Sequence, residues 1–357
     1  MNEHHSVIII GAGLSGLYSA WKLQQKQIDV ILLEARERVG GRVLSANYNT
    51  SRFDLGPAWV WPQLQTRLQQ LMTELDIGVF KQFTSGAMLY EKNPTEIEHY
   101  NAQSSHSESY RIEGGIQNLV DSLQSHLSSS IIHLNTLVRE IHEDDMSIHT
   151  MRNGKAYQYT ADKIIFALPP RLIQQNISFN PAFSDEVNDA WKSVPTWMSG
   201  HCKIIFIYDT PFWREKNLSG EAFSHSGPLS EIYDASPANE EYYALTSFVG
   251  LNAQQRKQID DKQLINSSIA QLQRLFGNES KNVSDIQIKD WSLDEYTTTD
   301  LDLTSPMQHP QYPEDIPKHF WDKKLILAGT EVAREHGGYL EGAIESADEA
   351  IIVYGLK

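Results

Sequence analysis

A glycine-spaced turn near the start constrains this chain more than any other segment. The apolar run at residues 7–10 leads into Gly11-Ala12-Gly13-Leu14-Ser15-Gly16, a helix-like segment, a second apolar run at 30–33, and Glu34. A strand, a glycine turn, a helix and a second strand ending in a carboxylate are the parts of a dinucleotide-binding βαβ unit. Gly11 permits the tight turn out of the first strand, Gly13 lets backbone approach a pyrophosphate, and Gly16 lets the helix pack close to the strand. The helix N-terminus offers unpaired N–H groups and its positive dipole end to phosphate oxygens. Glu34 can accept hydrogen bonds from a ribose. The expected fold class is α/β, built on a Rossmann-type domain.

The next residues narrow the nucleotide. The run Glu34-Ala35-Arg36-Glu37-Arg38-Val39-Gly40-Gly41-Arg42 adds a second glycine pair where backbone passes the same phosphates. Its arginines can neutralise those phosphates. NAD-only domains rarely need such an addition.

With these motifs the sequence resembles the flavin-containing amine oxidase family, which includes monoamine oxidases, polyamine oxidases and L-amino-acid oxidases. The resemblance continues through Phe53-Asp54-Leu55-Gly56-Pro57-Ala58-Trp59, Gly114-Gly115 with Leu119-Val120, and the strand and turn at 164–170 ending in Pro169-Pro170. It then takes in Lys203 with Pro211-Phe212-Trp213, Ala328-Gly329-Thr330-Glu331, and Gly338-Tyr339-Leu340-Glu341-Gly342-Ala343. Segments in family order from end to end are far more specific than any one of them.

The resemblance implies an FAD-binding domain assembled from discontinuous pieces, 1–61, 110–172 and 313–357, with an inserted α+β substrate domain from 62–109 and 173–312. It implies FAD contacts from Gly11, Gly13, Leu14, Ser15, Gly16, Glu34, Ala35, Arg36, Gly40, Gly41 and Arg42. Further contacts are implied from Gly56, Pro57, Ala58, Trp59, Gly329, Glu331, Gly338, Tyr339, Leu340 and Ala343, with Val138 beside the adenine. Glu331 would hydrogen-bond the ribityl or phosphate region; a helix-capping carboxylate is the structural alternative. A helix starting near Glu341 would aim its positive end at the flavin's pyrimidine edge. No metal site is expected.

Two residues stand out for catalysis. Lys203 interrupts an apolar run (Ile204, Ile205, Phe206, Ile207), where an ammonium is costly to bury unpaired. Either it snorkels to solvent or it is held for chemistry. The resemblance implies the second, with Lys203 holding a water against the flavin and assisting reoxidation by dioxygen. Tyr339 matches one wall of the family's aromatic cage. Leu301 aligns with the other wall, so Trp59, Trp61 or Trp291 would have to supply a face, and aromatic faces suit amine nitrogen.

Composition sets the outer bounds. With 357 residues and 40% hydrophobic content the chain can build two domains and a large core. A formal net charge of −16 argues against nucleic acid as a partner. It would attract a cationic amine, or serve solubility alone. The one cysteine, Cys202, excludes an intrachain disulfide and fits a reducing, cytoplasmic compartment. The segment aligned with the family's flavin-linking cysteine, 296–301, has none, which implies noncovalent FAD. Neither a signal peptide nor a membrane anchor is expected. Oligomeric state is left open.

Periodicity suggests helices at 64–75, 116–127 and 261–276, and strands at 131–134, 138–141, 203–208 and 286–291, with a polar loop at 101–109. The expected activity is removal of hydride from the α carbon of an amine, hydrolysis of the imine to a carbonyl product, and reduction of O2 to H2O2. Two alternatives stay open. One is a carbon–carbon oxidase or desaturase of the protoporphyrinogen oxidase kind, consistent with Pro57 where the family often has a second glycine. The other is a flavin-binding protein without amine turnover.

Overall fold

The computed structural model describes residues 2–101, 108–303, 308–313 and 315–355. Most of the expected 101–109 loop therefore lies outside the described residues. Strand β1 (Asn2–Ile10) runs through the middle of a nine-stranded sheet, with β2 (Val30–Leu33) on one side and the long strand Lys155–Phe166 on the other, both parallel to it. The alternation of its side chains explains why residues 7–10 are all apolar. Val7 and Ile9 enter a core on one face, and Ile8 and Ile10 enter a second core on the other. A parallel strand covered on both faces needs an unbroken apolar run rather than an alternating one.

Helix α1 (Leu14–Gln25) and the C-terminal helix Leu340–Tyr354 pack on the first face. The opposite face is closed by Ile173, Ile177, Trp191 and Val194. Pro169 and Pro170 stop the long strand at Phe166 and start the helix Pro170–Asn176, with Pro170 in its first turn, where a missing N–H costs nothing.

A seven-stranded sheet forms the second layer. Its order is Asp285–Asp290, Cys202–Tyr208, Tyr243–Val249, Leu229–Asp234, Leu218–Ser224, Ala87–Asn93, Glu96–Tyr100. The helix Asp261–Phe276 covers one face, burying Leu264, Leu272, Leu275 and Phe276. The other face turns toward the nucleotide-binding layer.

Packing divides the chain differently from the expected insertions at 62–109 and 173–312. Leu68, Leu71 and Met72 of α2 (Thr66–Glu74), with Leu75 and Ile77, bury in the first core of the nine-stranded sheet. Ile173, Ile177, Trp191 and Val194 bury in its second core. The substrate-side sheet draws only on 87–100, 202–249 and 285–290. An amphipathic period shows that one helix face is buried, but not which sheet buries it.

Candidate active site

The turn after β1 takes its shape from two glycines. Gly11 has φ +102°, and a Cβ at Gly16 would overlap the Gly11 carbonyl oxygen. The close packing lets the first turn of α1 sit directly behind the loop, where no side chain caps its N-terminus. Glu34, buried at the end of β2, accepts from the N–H of Ala12 (2.7 Å) and of Arg36 (2.9 Å). The carboxylate thus braces the turn while facing the cavity.

That cavity encloses about 600 Å³ and is lined by Gly11, Gly13, Leu14, Ser15, Glu34, Arg36, Gly40, Gly41, Arg42, Gly56, Pro57, Ala58, Trp59, Lys203, Gly329, Glu331, Gly338, Tyr339, Leu340 and Ala343 among others. Residues far apart in the chain therefore meet around one space. Three of the residues expected to contact FAD are not among those that line this cavity. Gly16 sits behind the turn, packed on Gly11. Ala35 is absent from the lining. The Val138 side chain is buried in the second core of the nine-stranded sheet, because inward and outward positions alternate along its strand.

Lys203 is buried and does not snorkel. Its Nζ donates to the carbonyls of Asp54 (2.9 Å) and Gly56 (2.7 Å), lying 5.7 Å from the ring centre of Trp59 and 5.4 Å from that of Phe248. Loss of hydration brings its pKa down to about 7, opposed by Asp54 and reinforced by Arg111. Its two acceptors are themselves fixed. Asp54 receives the N–H of Ile116 (2.8 Å), the Ser45 hydroxyl (2.7 Å) and Arg111 Nη2 (3.1 Å), while Trp291 Nε1 donates to Leu55 O (3.1 Å). The Asp54–Trp59 segment is therefore a rigid seat for an amine that can change charge near neutrality.

Tyr339 is 42% exposed, lines the cavity, and stacks on His309 with ring centres 4.7 Å apart and an angle of 10°. Thr330 Oγ1 donates to its carbonyl (2.7 Å) just before the C-terminal helix begins. The aligned second wall, Leu301, is half exposed and does not line the cavity. Trp59, Trp61 and Trp291 do line it, as do Trp197, His201, Glu231, Tyr233 and Phe248, none of which the sequence singled out for the site. Phe248 and Glu231 could have been found only from the strand register, since Lys203 pairs with Phe248 and Phe248 with Glu231 across adjacent strands.

The residues present fit FAD on grounds internal to the structure. A Cβ built on Gly13 would meet open space, as backbone approached by a pyrophosphate requires. Glu331 is wholly buried beside the cavity, its Oε1 ion-paired with Arg42 Nη1 (2.6 Å), while its Oε2 has no hydrogen-bond partner among the described residues. It caps no helix, which leaves it free to accept from hydroxyl groups such as those of a ribityl chain. Glu341 instead caps α2, accepting from the N–H of Arg67 (3.1 Å) and Leu68 (2.8 Å). The N-terminus of its own helix remains uncapped at the cavity.

Residues 77–350 match the family model described as flavin containing amine oxidoreductase, and residues 9–75 match an NAD(P)-binding Rossmann-like domain. A probable flavin-containing monoamine oxidase A of Dictyostelium discoideum is 23% identical, with 97% of this chain and 96% of that protein covered. An L-amino acid dehydrogenase of Synechocystis sp. is 22% identical, covering 97% and 94% respectively. Among solved structures, a double mutant of putrescine oxidase superposes with a TM-score of 0.82 at 19% identity, covering 99% of this chain and 100% of that one. That likeness concerns the fold.

Proposed function

The chain belongs to the flavin-containing amine oxidoreductase family, and from that premise we propose that it is an FAD-dependent oxidase acting on the α carbon of a small amine, with O2 as acceptor and H2O2 as product. The observation that carries this reading is Lys203, a buried amine poised near neutrality between the nucleotide cradle and an aromatic wall.

Bound FAD supplies a two-electron acceptor for the hydride of the amine and passes the electrons on to O2. The first turn of α1 would hold the pyrophosphate, Glu34 the ribose, and Glu331 the ribityl hydroxyls. The uncapped N-terminus at Leu340 favours the negative charge that builds up on reduction. Tyr339 and Trp59 present ring faces that orient an amine nitrogen. Lys203, anchored by two carbonyls, keeps a third N–H for a water or reduced oxygen species, so it can hold or deliver a proton at that point.

A noncovalent flavin is part of the proposal, supported by Cys202, which is buried in the substrate-side core with its thiol pushed up to about 12 by burial, away from the cavity lining. A cytoplasmic location is part of the same proposal, resting on that single cysteine and the acidic composition. Among the described residues no helix is long and apolar enough to cross a membrane.

The test is an anaerobic screen of the purified holoprotein against primary amines, diamines and L-amino acids, following the oxidised-flavin absorbance. Bleaching by one class, with peroxide on admitting air, is the expected result. A flavin that none of them bleaches would return the choice to carbon–carbon oxidation or a noncatalytic flavoprotein.

A further inference from the structure

Among the described residues, Glu231 is the one carboxylate on the substrate-side sheet that lines the cavity. It stands on the same row as the lysine: Lys203, Phe248 and Glu231 are direct partners on three successive strands. Directly paired residues project to the same face of a sheet, so all three point into one space. The slot between the two charged ends is aromatic. Trp59 packs edge-on to Tyr233 at 5.0 Å and lies 6.3 Å from Phe248, and Lys203 Nζ approaches both Trp59 and Phe248.

The carboxylate is held in place without being neutralised. The Tyr233 hydroxyl donates to Glu231 Oε2 at 2.8 Å, and no ion pair involves Glu231 among the described residues. The buried acids around it differ: Asp54 has Arg111, Asp234 has Arg214 and Glu91 has Arg274. A partly buried carboxylate beside aromatic faces, with oxygen lone pairs left over and no counterion, is short of one cation.

We propose that Glu231 is the specificity determinant of this site and that the substrate is a linear diamine or polyamine, whose distal ammonium pairs with Glu231 while the reacting nitrogen lies at the Lys203 end. The proposal rests on the amine-oxidase reading above and names its substrate class. Two strand spacings of ~4.8 Å place the Cα atoms of Lys203 and Glu231 about 10 Å apart, which leaves room for a chain of roughly four or five methylenes between the nitrogens. The same carboxylate repels the α-carboxylate of an amino acid, and a monoamine leaves it unpaired.

Binding separates this proposal from turnover. Holoenzyme photoreduced under argon cannot oxidise an amine, so calorimetry reads affinity alone for 1,4-diaminobutane and for butylamine. The diamine is expected to bind tighter by on the order of tenfold or more, and Glu231→Gln, which can keep the Tyr233 hydrogen bond, should bring the ratio close to one. Glu231→Asp, one methylene shorter, should move the preference toward 1,5-diaminopentane. Equal affinities in the unmodified enzyme, or a preference that survives Glu231→Gln, would overturn the proposal. Diamine selectivity that depends on Glu231 in an enzyme whose oxidised flavin no amine reduces would uphold it and sink the oxidase reading. Flavin reduction by butylamine and diamine alike, without dependence on Glu231, would do the reverse.

Discussion

At the scale of a single residue, Lys203 shows how burial becomes chemistry. An ammonium without bulk water survives here because two carbonyls of a rigid segment accept from it, yet its charged form is still disfavoured enough to bring the pKa to about 7. On the proposed oxidase reading, a cation at this point would lower the energy of negative charge developing on dioxygen. Lys203→Met is therefore expected to retain FAD and slow flavin reoxidation by one to two orders of magnitude. In the unmodified enzyme reoxidation should slow as pH rises through about 7, a dependence the variant lacks; stopped-flow traces in air-saturated buffer test both points.

The same shift predicts a stability effect of known sign. Above pH 7 the folded lysine has lost its proton while the unfolded one keeps it up to about 10.5, so unfolding takes up a proton and stability rises with pH across that window. Relative to Lys203→Met, the unmodified chain should gain about 2 kcal/mol between pH 7.5 and 9.5, at ~1.4 kcal/mol per pH unit with a discount for relaxation. Urea titrations at the two pH values measure it, and a difference independent of pH would contradict the burial argument.

At the scale of elements, the position of α1 depends on an absent atom. A Cβ at Gly16 overlaps backbone, the Gly11 carbonyl, so no side-chain rotation can relieve it. Gly16→Ala should push α1 off the turn and weaken FAD binding by at least about tenfold, although alanine itself favours a helix; a fluorescence titration of the apoprotein with FAD reads this. The cap on α2 is a different kind of tie, because its carboxylate comes from another helix. Glu341→Ala would leave the Arg67 and Leu68 N–H groups without that acceptor and should cost about 1–2 kcal/mol in a urea titration. Local signals made such elements readable: α1 after its glycine turn, β2 ending just before Glu34, and the helix Asp261–Phe276 at its predicted bounds. The partner of α2 was not readable, nor was the row Lys203–Phe248–Glu231, because sheet register joins residues dozens of positions apart and leaves no local trace. Lys203 itself was legible as a charge in an apolar strand, but its two carbonyl acceptors lie nearly 150 positions earlier in the chain.

At the scale of the whole molecule, the two sheets meet at the cavity through charges that serve both. Arg36 reaches from the end of β2 to Asp294 and to Thr297 Oγ1 (2.8 Å), Arg42 donates to Trp197 O (3.1 Å) while pairing with Glu331, and Lys203 of the second sheet holds the segment that follows Phe53. A ligand that occupies this seam touches residues from both layers, so its binding energy should stabilise both. At FAD concentrations 100-fold above Kd the gain is about 2.7 kcal/mol over the apoprotein. Hydrogen exchange distinguishes a shared effect from a local one. Amides of β1 and of the strand Cys202–Tyr208 should gain protection together when FAD is added to the apoprotein. Protection confined to β1 would mean that the substrate-side sheet opens independently and that the ion pairs across the seam do not couple the layers. Joint protection would mean that FAD binding also steadies the strand that carries Lys203 and, through its neighbours in the sheet, Glu231.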